Sequence, residues 1–242
     1  AVRVTGEVKL GAGYPVKARV ETDDTSFARI LERAGVPGAW VEFPATVRAN
    51  LTGSLWPRFS LAGDVDLEAG RFLLASRAWD APAASGTDIL AFAQSHAELK
   101  IAINTERVEF SAIRIRAGPQ GQTVVQGDVT LYTDVERGLE IKAVAEALVL
   151  SDFGAIAEIP WAGQGTAAVQ ISGPYADVKI AGQVALRDFE MFGYSPGVVQ
   201  GPLKYARGVL SFPSLLGQKG KTPFAGRAEL QFLDDGVHLE AE

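Results

Sequence analysis

Ile180-Ala181-Gly182-Gln183-Val184-Ala185-Leu186 decides how this chain is read. Successive side chains of an extended strand point to opposite faces, so Ile180, Gly182, Val184 and Leu186 share one face while Ala181, Gln183 and Ala185 share the other. A glycine in the middle of an apolar face is the unusual feature. It recurs in the same phase at Val4-x-Gly6-x-Val8-x-Leu10, Leu61-x-Gly63-x-Val65-x-Leu67, Val125-x-Gly127-x-Val129-x-Leu131, Val199-x-Gly201-x-Leu203-x-Tyr205 and Phe224-x-Gly226-x-Ala228-x-Leu230. The pattern is a building unit. Its expected apolar lining is Val8, Leu10, Leu61, Val65, Leu67, Val129, Leu131, Ile180, Val184, Leu186, Leu203, Tyr205 and Leu230, interrupted by Gly6, Gly63, Gly127, Gly182, Gly201 and Gly226.

Working outward, two-residue alternation predicts further strands over 16–21, 39–43, 45–51, 71–76 (as partner of 59–67), 99–103, 108–117, 124–132 and 139–150. The phase changes between Ala112 and Ile113, which fits a β-bulge. Residues 143–150 also suit a helix by propensity; the phase running unbroken through Leu139, Ile141, Ala143, Ala145, Ala147 and Val149 favours a strand. Two or three short peripheral helices are expected: 27–34 behind Thr25 or Ser26, 89–93 behind Thr87 or Asp88, and a helical turn over 153–157 behind Ser151 or Asp152. The segment from about Trp79 to His96 reads as an insertion lying against an edge or end of the sheet.

A larger period is superimposed on the strands. Gly6, Gly53 and Gly63 correspond in order to Gly127, Gly173 and Gly182, at offsets of 121, 120 and 119 residues. The chain is therefore expected to be one elongated β-repeat segment, with a first repeat over about 1–122, a second over about 123–224 and the start of a third over 225–242. It begins Ala1-Val2-Arg3-Val4, with neither an initiator Met nor a signal peptide, and is expected to be a piece of a longer protein whose anchor lies outside it.

Composition excludes several function classes. At 47% apolar and 21% charged residues the chain is of an ordered kind, and a net charge of −6 with no basic run argues against nucleic acid. Without cysteine there are no disulfides and no thiolate metal sites. The two histidines, His96 and His238, lack ligand spacing. Asp23-Asp24, Asp234-Asp235 and Asp134/Glu136 read as turn carboxylates between strands. Gly11-Ala12-Gly13 and Gly163-Gln164-Gly165 precede strands, not the helix a phosphate cradle needs, and Ser151 and Ser211 have no nucleophile-elbow context. No catalysis, metal or cofactor is expected.

The run from Gly163 through Ile171-Ser172-Gly173-Pro174, Asp177 to Gly182 and Asp188-Phe189, followed by Gly201-Pro202-Leu203-Lys204-Tyr205-Ala206-Arg207-Gly208-Val209-Leu210, resembles a repeat of the TamB branch of the AsmA-like proteins. The likeness covers Gly163 to about Leu230, and more loosely 51–67. It implies an all-β fold: an elongated, curled, antiparallel-rich sheet forming an open apolar trough. It further implies a periplasmic segment of a protein anchored in the inner membrane of a diderm bacterium. Such a protein acts in outer-membrane biogenesis, with an Omp85-type partner engaged through the rest of the chain and phospholipid acyl chains shielded in the groove. The glycines suit such a trough by relieving crowding on a concave face, and each CH₂ removed from water contributes roughly 0.8 kcal/mol. The alternative is that the same faces close on themselves as a β-sandwich or β-barrel, a binding or adhesion module of a cell surface. Trp40, Trp56, Trp79 and Trp161 would then offer a sugar platform; the plainer role of Trp56 and Trp161, near strand starts beside Gly or Pro, is to plug an end of the sheet.

Overall fold

The computed structural model describes residues 2–26, 41–42, 44–69, 72–76, 87–92, 95–118, 122–153, 160–174, 177–191, 193–233 and 236–242. The chain is all-β and built on one antiparallel sheet of fourteen strands. In sheet order these are β1 (Val2–Val8), β2 (Pro15–Ser26), β4 (Pro44–Ser54), β5 (Ser60–Ala69), β8 (Ser95–Asn104), β9 (Arg107–Ala117), β10 (Thr123–Tyr132), β11 (Leu139–Val149), β12 (Trp161–Gly173), β13 (Lys179–Met191), β14 (Tyr194–Ala206), β15 (Val209–Lys219), β16 (Thr222–Leu233) and β17 (Gly236–Ala241). Spatial order follows chain order, so nearly every strand pairs with its sequence neighbour. β1 and β17 do not meet, so the sheet is not closed into a barrel. A second sheet of three strands, β3 (Val41–Glu42), β6 (Phe72–Ser76) and β7 (Thr87–Phe92), is made from the two connections the meander skips.

Local chemistry sets the turns. Arg207 and Gly208 both have positive φ, 52° and 77°, between paired Ala206 and Val209: a two-residue turn whose twist matches the strands it joins. Gly220, at φ 62°, turns β15 into β16. Between β8 and β9 the Asn104 carboxamide oxygen accepts the backbone N–H groups of Glu106 (2.8 Å) and Arg107 (2.9 Å), a side chain standing in for a turn carbonyl. The three longest connections leave one rim of the sheet, the ends bearing Ser26, Ala69 and Val149.

Several strands keep their apolar residues on one face through bulges. Phe110 is followed on that face by Ile113, Ala145 by Leu148, Leu186 by Phe189 and Phe212 by Leu215, and at each step the register shifts. The two skipped residues, Ser111-Ala112, Glu146-Ala147, Arg187-Asp188 and Pro213-Ser214, are exposed. Bulged strands are thus β9, β11, β13 and β15, every second strand across this half of the sheet. A bulge bends its strand and increases local twist, so the four together curve the sheet. Ala112 (φ 51°) and Asp188 (φ 52°) take the left-handed conformation there, and the Ala112 N–H donates to the Asp128 carboxylate at 3.1 Å.

The structure corrects four expectations and bears out a fifth. Residues 87–92 form strand β7, not a helix: six residues are too few to repay helix nucleation, and pairing with β6 supplies their backbone hydrogen bonds instead. Residues 72–76 pair with β3 and β7, while the partner of β5 is β8. The bulge expected just before Ile113 is present, with Ser111-Ala112 as its extra residues. The apolar phase of β11 breaks after Ala145, leaving Ala147 exposed and giving its place to Leu148. Asp23-Asp24 occupies a register shift inside β2, not a turn between strands. Only one helical turn is described, the 3₁₀ turn η1 (Leu150–Phe153), which lies against β12 and β7, and no α-helix is present among the described residues. The expected helix over 27–34, Trp40, Trp79 and Asp234-Asp235 fall outside the described residues.

Candidate functional site

Register turns the apolar faces of separate strands into continuous rows. Gly6 lies opposite Ala18, and the pairing continues through Leu51, Gly63, Ile101, Phe110, Val129, Ile141, Ile171, Ile180, Tyr205, Leu210, Leu230 and Leu239. This row crosses all fourteen strands without meeting a charged residue. A second runs from Val2 through Thr22, Val47, Leu67, Ala97, Ile115, Val125, Ala145, Ala167 and Val184 to Gly201.

Two packed clusters include members of these rows, Ala145 in one and Leu51 in the other. One holds Ala145, Leu148, Leu150, Leu186 and Val199, with Trp161, Val184, Phe189 and Phe224 against them; the other holds Ala49, Leu51 and Val65. Most of the remaining face is half-buried. Among the described residues the close approaches are chiefly between neighbouring strands, so the apolar face is covered by its own lateral packing and not by a second large sheet.

Each predicted lining residue can now be placed. Leu61, Val65 and Leu67 follow one another down β5, opposite Gly53, Ala49 and Val47. Val129 faces Phe110 and Ile141, and Leu131 faces Val108 and Leu139. Ile180, Val184 and Leu186 of β13 meet Tyr205, Gly201 and Val199 of β14, with Leu203 beside Gly182. Leu230 is the most buried of the set, at 2% exposure. Val8 lies on edge strand β1, and Leu10 lies beyond it in a turn, 91% exposed.

The glycines have a backbone reason. A Cβ at Gly63 would collide with the carbonyl oxygen of Asn50, and one at Gly182 with the Ala168 carbonyl oxygen while lying 2.8 Å from Val169 Cγ1. Gly127 and Gly201 meet the neighbouring strand's carbonyl oxygens of Lys142 and Ser214 in the same way. Adjacent backbones approach at these points more closely than a side chain permits, as bending a sheet across its strands requires.

Polar groups seal one end of the bulged half. Thr123 is fully buried; its hydroxyl accepts the Val149 N–H at 3.0 Å and donates to the Asp152 carboxylate at 2.7 Å, tying η1 to the start of β10. Thr22 does the same between β2 and β4, accepting the Val47 N–H at 3.0 Å and donating to the Ala45 carbonyl at 3.2 Å.

The opposite face divides in two. Over β2 to β9 it carries cross-strand charge, including Arg48 with Asp66 at 3.8 Å, and His96 Nε2 at 3.8 Å from both Asp66 and Glu98. The sequence treats His96 as a solitary histidine; pairing of β5 with β8 brings it to Asp66, while Glu98 stands two residues along its own strand. Arg114 and Arg116 lie in register with Glu98 and His96, so the cluster reads as surface ion pairing. Over β11 to β15 the face holds a shallow recess of about 600 Å³ flanked by Val144, Glu146, Thr166, Gln183, Gln200 and Leu216. A twisted sheet is saddle-shaped, so each face is concave along one diagonal. The bulges of β11, β13 and β15 are what the sequence missed here, because a three-residue step looks like a lapse of alternation.

No described helix is long and apolar enough to cross a membrane. Comparison with protein-family models, with curated proteins and with solved structures finds no match to the chain.

Proposed function

We propose that this chain shields lipid acyl chains along the apolar face of its long sheet, curled into an open trough, and performs no catalysis. One observation carries the reading: a row of apolar residues and glycine, fourteen strands wide, that no second large sheet covers among the described residues. A row of that width exceeds what a small pocket needs and suits a flexible hydrocarbon chain, which is held by removal from water and not by directed contacts. Bulges on alternate strands and glycines at close backbone approaches supply the curvature. The resemblance of 163–230 to a TamB repeat of the AsmA-like proteins agrees with this use. In that setting the chain is a periplasmic segment of an inner-membrane-anchored protein of a diderm bacterium, acting in outer-membrane biogenesis with an Omp85-type partner reached through the rest of the protein.

Extraction of the chain, purified without detergent from a diderm host, tests the proposal. Recovery of phospholipid by mass spectrometry at a fixed ratio to protein is the expected result. Protein free of lipid, and unable to take it up from vesicles, would refute it.

A further inference from the structure

The corner of the sheet formed by the β1–β2 and β4–β5 turns differs from the rest of its rim. The two turns are tied together: the Leu55 N–H donates to the Tyr14 carbonyl at 3.3 Å, the Trp56 N–H donates to the Gly13 carbonyl at 3.3 Å, and the Ser54 hydroxyl bonds the Gly13 and Trp56 carbonyls. The Tyr14 N–H also closes its own turn on the Gly11 carbonyl at 3.2 Å. The corner is therefore a built unit and not two loose loops. It nevertheless holds large apolar side chains in water, with Leu10 at 91%, Trp56 at 64%, Tyr14 at 43% and Leu55 at 42% exposure.

Charge separates this corner from its neighbours. Within 9–14 and 54–59 the only charged residues are Lys9 and Arg58, in a chain whose net charge is −6. The next turns along the same rim carry Glu106, then Asp134 and Glu136, then Asp177. Among the described turns of this rim, this corner alone joins exposed Trp, Tyr and Leu to positive charge without an acid among them. Indole and phenol rings favour the boundary between headgroups and hydrocarbon, where one end is apolar and the other wet, and Lys and Arg favour an anionic surface. A protein partner that used the apolar groups alone would not require the local reversal of charge.

We propose that this corner docks the chain on an anionic bilayer surface, with Leu10, Leu55 and Trp56 entering the interface and Lys9 and Arg58 over the headgroups. The docking does not rest on the lipid-shielding reading, since the corner lies outside the apolar rows.

Co-flotation of the chain with vesicles tests it. Binding is expected to vesicles of phosphatidylcholine mixed with phosphatidylglycerol, and to weaken as salt is raised. Trp56→Ser together with Leu10→Ser should lower the partition by about tenfold or more. Lys9→Glu with Arg58→Glu should abolish the preference for the anionic mixture over phosphatidylcholine alone. All four side chains are in turns, and unchanged circular dichroism and urea midpoint establish that the variants fold. Wild-type chain that fails to float, or variants that float as well as wild type, would overturn the proposal. So would concentration-dependent self-association that Trp56→Ser removes in the absence of vesicle binding. Val184→Asp, on the apolar face, should float normally while losing extractable lipid, so failure of docking and failure of lipid shielding give different results.

Discussion

Val184→Asp distinguishes an open apolar face from a closed core. Val184 stands between Ala167 on β12 and Gly201 on β14, half-buried and flanked by small side chains. Fully burying a valine contributes about 1.5 to 3 kcal/mol, and a half-buried one roughly half as much. An aspartate here keeps its carboxylate in contact with water and loses only this packing, so the expected destabilisation is about 0.8 to 1.5 kcal/mol. In a closed interior the same change would bury a charge with no partner and cost about 3 to 5 kcal/mol. Urea unfolding followed by far-ultraviolet circular dichroism measures the difference, read at constant m value so that the change reports stability alone. The variant should also carry less lipid, because a carboxylate in the path of an acyl chain must lose its hydration. A loss above about 3 kcal/mol, or a variant that does not fold, would refute the open-face account.

Gly182→Val should destabilise the chain by about 1 to 3 kcal/mol in the same assay, because the new side chain meets the Ala168 carbonyl and Val169; stability equal to wild type would remove the argument that close backbone approach fixes the glycines. Thr123→Val keeps the shape but strands the Val149 N–H and frees Asp152, at a cost of about 1 to 3 kcal/mol. Hydrogen exchange at Val149 should accelerate, and unchanged protection there would show that the hydroxyl is not its partner.

The parts of this fold that could be read in advance are those governed by neighbours in sequence. Val124 to Tyr132 and Ile180 to Leu186 alternate cleanly, and their strands, faces and partners follow because each hairpin is closed by its own turn. What escaped was decided at longer range. Thr87-Asp88-Ile89-Leu90 begins as a capped helix would, yet its strand conformation comes from β6, across residues whose pairing no local pattern announces. The bulges at Glu146-Ala147 and Arg187-Asp188 hide for a different reason: skipping two residues on one strand while its partner advances leaves a gap in alternation identical to the start of a loop. The apolar lining was legible as isolated faces. Its union into one row was not, since that depends on register through every pair from Gly6 to Leu239.

The most direct test is a photocrosslinking scan along β13 in a lipid-replete cell. Ile180, Val184 and Leu186 share the apolar face; Ala181, Gln183 and Ala185 share the other. A photoreactive side chain placed at each position in turn should capture phospholipid with a period of two residues, from Ile180, Val184 and Leu186 and not from the positions between them. Capture from both faces alike, or from neither, would contradict the account.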